Sequence, residues 1–275
     1  MARAEPTVPD WAIGCMDREY IVLDGGARDP SIAIWIQTES QYIDIRIPHD
    51  RPDLSRASSL ADYGVDELRA LAHQSGDTGV CEIRDQVATW HSASPSFGFF
   101  CESVSMFPDD GRLEPRGSVL YEYQTQKSPV AYEEAWVQQP YDHGLIAHLS
   151  LREDREPEAV RAVLLVTGRY AGYVERSTST SELTLEAQLA AARGDEERIR
   201  KILNCEASYA IRARAGAPFL IRHSTLPFRE GEELAVPALG RRVLERRDRL
   251  PGPREGTHWR VESWWVKTDG SPPAA

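Results

Sequence analysis

No stretch of this chain stays apolar for the roughly 18 residues that a membrane-crossing helix requires. The opening Met-Ala-Arg-Ala-Glu-Pro lacks the apolar core of a secretory signal. Cysteine is scarce: Cys15, Cys81, Cys101 and Cys205 lie far apart, with no Cys-x-x-Cys spacing. Without a secretory signal they are expected to be free thiols in a reducing, cytoplasmic setting. The seven histidines are scattered. No His-x-x-x-His or Glu-x-x-His pair falls on a helix, so no metal and no other cofactor is expected. A Walker loop and a Gly-x-Ser-x-Gly elbow are also missing. Positive charge is in deficit, with 32 Lys and Arg against 43 Asp and Glu for a formal net charge of -11. Such a chain repels phosphate backbones, so nucleic acid is not an expected partner, and neither is a membrane. The local exception is Arg241, Arg242, Arg246, Arg247, Arg249 and Arg254. Glu245 and Asp248 interrupt this group, and it reads as a solvated hairpin face.

What is abundant is β-strand signal. The 275 residues, 41% hydrophobic and 27% charged, fit a globular protein with one large core or two ordinary ones. Short β-branched or aromatic runs punctuated by Gly, Pro, Asp and Ser predict strands at 20–23, 32–37, 42–47, 80–84, 87–91, 97–106, 119–123, 131–137, 145–151, 162–170, 206–213, 217–223, 242–247 and 257–266. Arg84-Asp85-Gln86 reads as a tight connection, and Asp109-Asp110-Gly111-Arg112 as a hairpin turn. So many short strands suggest a sandwich or a barrel, an all-β protein with a few short helices.

Two segments depart from this pattern. Ser59 to His73 has apolar residues at helical spacing, delayed by Gly64. Glu182 to Leu203 reads as two helices broken at Gly194, with Asp195 capping the second. Both are expected to cover an open barrel end or a sheet edge. The charged run Glu153-Asp-Arg-Glu-Pro-Glu158 places a boundary near 151–160. That gives one unit over 1–150 and another over 151–275, with the helical insertion near 182–203 in the second.

Several short motifs together resemble the HRI1 family, a lipocalin-like group. In this chain they are Trp35-Ile-Gln-Thr, Tyr42-Ile-Asp-Ile-Arg-Ile-Pro48, Thr89-Trp90-His91, Tyr132-Glu-Glu-Ala-Trp136 and Val166-Thr-Gly-Arg-Tyr-Ala-Gly-Tyr173. Cys205-Glu-Ala-Ser208 and Ser224-Thr-Leu-Pro-Phe-Arg-Glu-Gly231 look like bacterial members. The resemblance spans about 30–265 and implies two fused calycin-type β-barrels in one chain. The helices near 182–203 depart from the compact pattern. The family supplies no catalytic residues.

Chemistry is sought where alternation exposes polar side chains. In Tyr42-Ile-Asp-Ile-Arg-Ile47 three isoleucines take one strand face, while Tyr42, Asp44 and Arg46 take the other. Such a polar triplet faces water or lines a polar cavity. His91 shares a face with Thr89 and Val87, opposite Trp90. Tyr132, Glu134 and Trp136 share another. If these faces converge in the first barrel, His91, Glu134 and Asp44 form an acid–base set. Arg46 would then hold an anionic group of the ligand, and Tyr42, Trp90 and Trp136 would line the pocket. The structural alternative is an exposed Asp44–Arg46 pair and a satisfied wall histidine. In the second barrel the candidates are Glu206, Ser208 and His223.

Two functions follow. One is a cofactor-independent enzyme moving protons on a small hydrophobic or aromatic molecule, as an isomerase, cyclase, lyase or hydrolase. The other is a non-catalytic small-ligand-binding or protein-interaction protein. The expected partner is a small organic molecule, with homo-oligomerisation left open.

Overall fold

A computed structural model of the chain describes residues 7–92, 109–126, 131–140, 144–156, 158–177, 185–239 and 250–266. Strands make up 51% of it and helix 14%, below the quarter expected for an all-β chain. The predicted strands 97–106 and 242–247, Cys101 and five of the six clustered arginines lie outside the described residues. Among the described residues no helix is long and apolar enough to cross a membrane.

The first sheet contains β1 (Gly14–Leu23), β2 (Arg28–Asp29), β3 (Ile32–Gln37), β4 (Gln41–Ile47), β5 (Ser75–Arg84), β6 (Val87–Ser92), β7 (Asp109–Arg116), β8 (Val119–Gln124) and β9 (Tyr132–Gln138). All pairings are antiparallel. β1 pairs with β3 on one side and β9 on the other, so eight strands close into a barrel and β2 extends β1 as a short ribbon. The second sheet contains β10 (Leu145–Glu153), β11 (Val160–Thr167), β12 (Tyr170–Glu175), β13 (Glu206–Ile211), β14 (Phe219–Ser224), β15 (Glu233–Leu234), β16 (Leu250–Pro251) and β17 (Thr257–Val266). Its order, β15-β14-β13-β12-β11-β10-β17-β16, is that of a curled half-barrel with two short edge strands. The change of sheet falls between Gln138 and Leu145, upstream of the boundary expected at 151. Of the charged run at 153–158, Glu153 ends β10, and Asp154, Arg155 and Glu156 lie in the β10–β11 connection.

Asp109-Asp110-Gly111-Arg112 is not a turn but the start of β7. The turn lies one hairpin further on, at Gly117, which has a φ of 65°. Gly111 sits in the strand because a Cβ there would lie 2.5 Å from the Glu122 carboxylate. The glycine makes room for a buried acid rather than reversing the chain. Asp85 and Gln86, with φ of 50° and 64°, do form the tight β5–β6 connection.

Three cores result. One fills the closed barrel and another the curl of the second sheet. Between the sheets Ile34, Ile36, Ile43, Ile45 and Ile47 pack against Val163, Leu165, Val174, Ala207 and Tyr209. The isoleucine face of β4 is therefore an inter-sheet seam rather than a barrel interior. Backbones approach closely along it. A Cβ on Gly76 would meet the Ala207 Cβ at 2.3 Å, and one on Gly172 would meet Ile36 at 2.8 Å. Gly168 (φ 63°) turns the β11–β12 hairpin.

The helices build a further small core. Helix Val65–Leu71 starts at Gly64, and helix Glu196–Leu203 is capped by Asp195, which accepts from the Arg198 N–H. Their Leu68, Leu71, Ile199, Ile202 and Leu203 pack together with Cys205 and Leu226, which flank β13 and β14. Arg51 ties this region to the second sheet by donating to Gln74, the Ser224 carbonyl and Glu230 at 2.8–2.9 Å. Replacing Arg51 by Ala leaves these acceptors without their shared donor. The expected loss is about 1–3 kcal/mol, read by urea unfolding.

Candidate functional site

The closed barrel is apolar at one end and polar at the other. Val8, Ala12 and Ile13 precede β1 and pack into the first end with Met16, Leu113 and Leu120. Along β4 the inward side chains are Tyr42, Asp44 and Arg46, since Trp35 lies opposite Asp44 and belongs to the barrel core. Trp35 meets Trp90 and Trp136 edge-on, with centroids 5.4 and 5.9 Å apart.

The polar end gathers around two guanidiniums. Arg46 holds Asp44 through Nε and Nη2 at 2.9–3.2 Å and reaches Glu134 at 3.8 Å. Arg18 reaches the same Glu134 oxygen, Oε1, at 3.6 Å, while Oε2 has no hydrogen-bond partner. A bulge between Arg18 and Tyr20 sets this geometry by aligning Arg18 with Trp136 and Ile21 with Glu134. On β8, Glu122 lies directly across from Glu134. It accepts from the Tyr132 hydroxyl at 2.8 Å and the Trp136 indole N–H at 3.0 Å. Asp77, opposite Asp44, accepts from Tyr42 at 2.6 Å and Ser92 at 2.7 Å. Asp109 is aligned with Trp90 and so shares its inward face.

Two carboxylates directly opposed on one barrel face repel each other. Desolvation, and then the charge on Glu134, pushes the Glu122 carboxyl well above the usual range. Glu134 is raised less, because burial is countered by Arg46 and Arg18. The two carboxyls titrate as one pair, with the guanidiniums of Arg46 and Arg18 favouring negative charge on the Glu134 side. Burial also raises Asp77 to about 6, although its hydroxyl donors oppose the shift.

Arg46 is enclosed by barrel wall, yet 36% of its side chain remains exposed, and the inward-facing Asp109 is exposed too. These exposed groups stand beside the buried Glu134, which Arg46 reaches at 3.8 Å.

The structure thus brings Tyr42, Asp44, Arg46, Trp90, Glu134 and Trp136 together. It does not bring His91, which is exposed on the outward face of β6. Ala88 and Trp90 point inward there, so alternation turns His91 away. The second-sheet set also separates. Ser208 donates to Glu206 at 2.7 Å and lies 2.9 Å from Ser224 Oγ. His223 sits on the opposite face, stacked on Tyr209. Glu206 is held by Arg229 at 3.3 Å, and nearby Glu175 is held by Arg161 and Arg254. Tyr173 donates to Glu175 at 2.6 Å, so this end is a satisfied ion-pair network.

Sequence reasoning missed Arg18, Asp77, Asp109 and Glu122. In Val119-Leu-Tyr-Glu-Tyr123 the tyrosines look like the core face, which would put Glu122 outside. Instead Tyr121 and Tyr123 stack on the outer surface under Arg116 and Arg112. The one usable signal was Gly111, a glycine inside a strand, against which the Glu122 side chain packs.

Two expectations follow. Gly111→Ala should displace the Glu122 carboxylate from Tyr132 and Trp136, costing about 1–3 kcal/mol, as read by urea unfolding together with a change in tryptophan fluorescence. Stability should also depend on pH. The raised carboxyls of Glu122, Glu134 and Asp77 bind protons more tightly folded than unfolded. Their contribution is fully present below the unfolded carboxyl range and is lost as pH rises through the folded values. His148, held down to about 4 by burial, acts oppositely, but only below its unfolded value near 6.5. The melting temperature should therefore fall from pH 6.5 to 8. A flat or rising profile there would show that these acids are not buried as described.

Among the described residues no three His, Cys, Asp or Glu side chains are placed to share a metal ion. In comparisons with known proteins, the chain matches no family model, no curated protein and no solved structure.

Proposed function

We propose that the first barrel is the site of a cofactor-independent enzyme that moves protons on a small hydrophobic or aromatic molecule. The observation that carries this reading is the Glu122–Glu134 pair. Two directly opposed acids sit in environments that push their proton affinities apart, which is how one site obtains an acid and a base at the same pH. Glu134 is the base, since its Oε2 is buried and accepts from no protein donor. Glu122, with the hydroxyl of Tyr132 against it, is the acid. Arg18 and Arg46 hold the negative charge on Glu134, and Trp35, Trp90 and Trp136 supply the apolar wall. Isomerisation, cyclisation, elimination and hydrolysis all fit this acid–base set. The resemblance to the lipocalin-like HRI1 family is part of the same proposal, because it implies calycin-type β-barrels.

Non-catalytic ligand binding is the second reading. It is favoured by the donors already bound to Asp44, Asp77 and Glu122, an arrangement that also serves to hold a wall together. The test begins with small molecules that raise the melting temperature. Each is then followed by NMR in deuterated solvent for product formation or deuterium uptake. Turnover or exchange that depends on Glu134 supports the enzyme. Binding without either, in every ligand found, leaves the container alone.

A further inference from the structure

The polar end of the barrel is out of charge balance. Asp44, Asp77, Asp109, Glu122 and Glu134 face Arg18 and Arg46. One guanidinium is taken up by Asp44, and Asp77 and Glu122 are satisfied by neutral donors. That leaves Glu134 Oε2, on a side chain only 4% exposed, with no donor. It also leaves Asp109, at whose position Trp90 presents a partly exposed ring on the same face. An anion entering here meets surplus negative charge. A neutral apolar molecule would strip water from carboxylates and return no hydrogen bond. A cationic nitrogen supplies both the missing charge and the missing donors, and indole faces favour cations. The acids are spread around the wall rather than gathered in one coordination sphere, which suits an organic cation better than a metal ion.

We infer that the molecule taken by this barrel carries a protonated amine on an aromatic or apolar body, the ammonium lying between Glu134 and Asp109 beside Trp90. This rests on the reading of the first-barrel interior as the site and adds the substrate's charge to it. Binding displaces protons held by the crowded acids, so it should release protons to the buffer.

The test is isothermal titration calorimetry of the whole chain with 2-phenylethylamine, 2-phenylethanol and phenylacetate, which share a ring and differ in charge. The amine should bind at least about tenfold more tightly than the alcohol, a difference of about 1.4 kcal/mol, and the acetate should not bind. Asp109→Asn and Glu134→Gln should each narrow that preference with the fold intact by circular dichroism. Heats in two buffers of different ionisation enthalpy should show proton release. Alcohol or acetate binding as tightly as the amine overturns the inference, as does the absence of saturable amine binding at millimolar concentration. Deuterium exchange separates the two readings. An amine that binds with this preference and never exchanges keeps the cation inference and removes the enzyme. Exchange on a neutral or anionic ligand does the reverse.

Discussion

Glu134→Gln is expected to lower turnover or proton exchange by about 10²–10⁴-fold, the usual effect of removing one acid–base group. The fold should survive, because the change is nearly isosteric. A glutamine oxygen can keep the place of Oε1 near Arg18 and Arg46, and the amide nitrogen then takes the position of Oε2, which has no donor to collide with. The substitution also removes the like charge opposite Glu122, so the Glu122 carboxyl should move back toward its ordinary range. The fall in melting temperature from pH 6.5 to 8 should become shallower than in the parent chain. Exchange rates, melting curves and far-UV spectra of the two proteins check the three parts. Full activity in the glutamine variant would remove Glu134 from the chemistry. Loss of fold would assign it to the barrel wall.

The second large effect is expected at the seam between the sheets. Gly76→Ala places a Cβ 2.3 Å from the Ala207 Cβ, a carbon that no rotamer change can move. One backbone must retreat across a face where Ile43, Ile45 and Ile47 are fully buried. Overpacking of this kind costs about 1–3 kcal/mol, and more where backbone must shift. For a chain of this size, a melting temperature lower by roughly 4–10 °C is expected. Ala207→Gly alone should cost about 0.5–1 kcal/mol, as glycine does in a strand. The double variant should recover much of the Gly76→Ala loss, because the two carbons meet each other and little else. Additive losses in the double-mutant cycle would show that the sheets do not approach as described.

The sequence by itself determined the local structure. Short β-branched or aromatic runs between turn residues marked most strands of both sheets, and period-two alternation sorted the faces of a few, because those strands have faces with different neighbours. Gly64, Asp85-Gln86 and Asp195 marked helix starts and a turn, because those positions are constrained by backbone geometry alone. The sequence also sorted Tyr42, Asp44 and Arg46 onto one face of β4, and Glu134 with Trp136 onto one face of β9. It could not say which face was inside, because alternation fixes a difference between two faces and not the identity of either. Closure of β1 onto β9 decided that. It made the charged face of β4 the barrel lining, and the second sheet covered the isoleucine face. The same closure turned His91 outward and brought Glu122, hidden beneath two tyrosines that looked like core, across from Glu134. Gly111 and Gly76 were legible as glycines but not as contacts, since what each makes room for, Glu122 and Ala207, comes from another strand. The charge balance at the polar end belongs to the tertiary structure for the same physical reason. Repulsion between carboxylates depends on their separation in space, and Asp44, Asp77, Asp109, Glu122 and Glu134 come from five strands that only the closed barrel brings together.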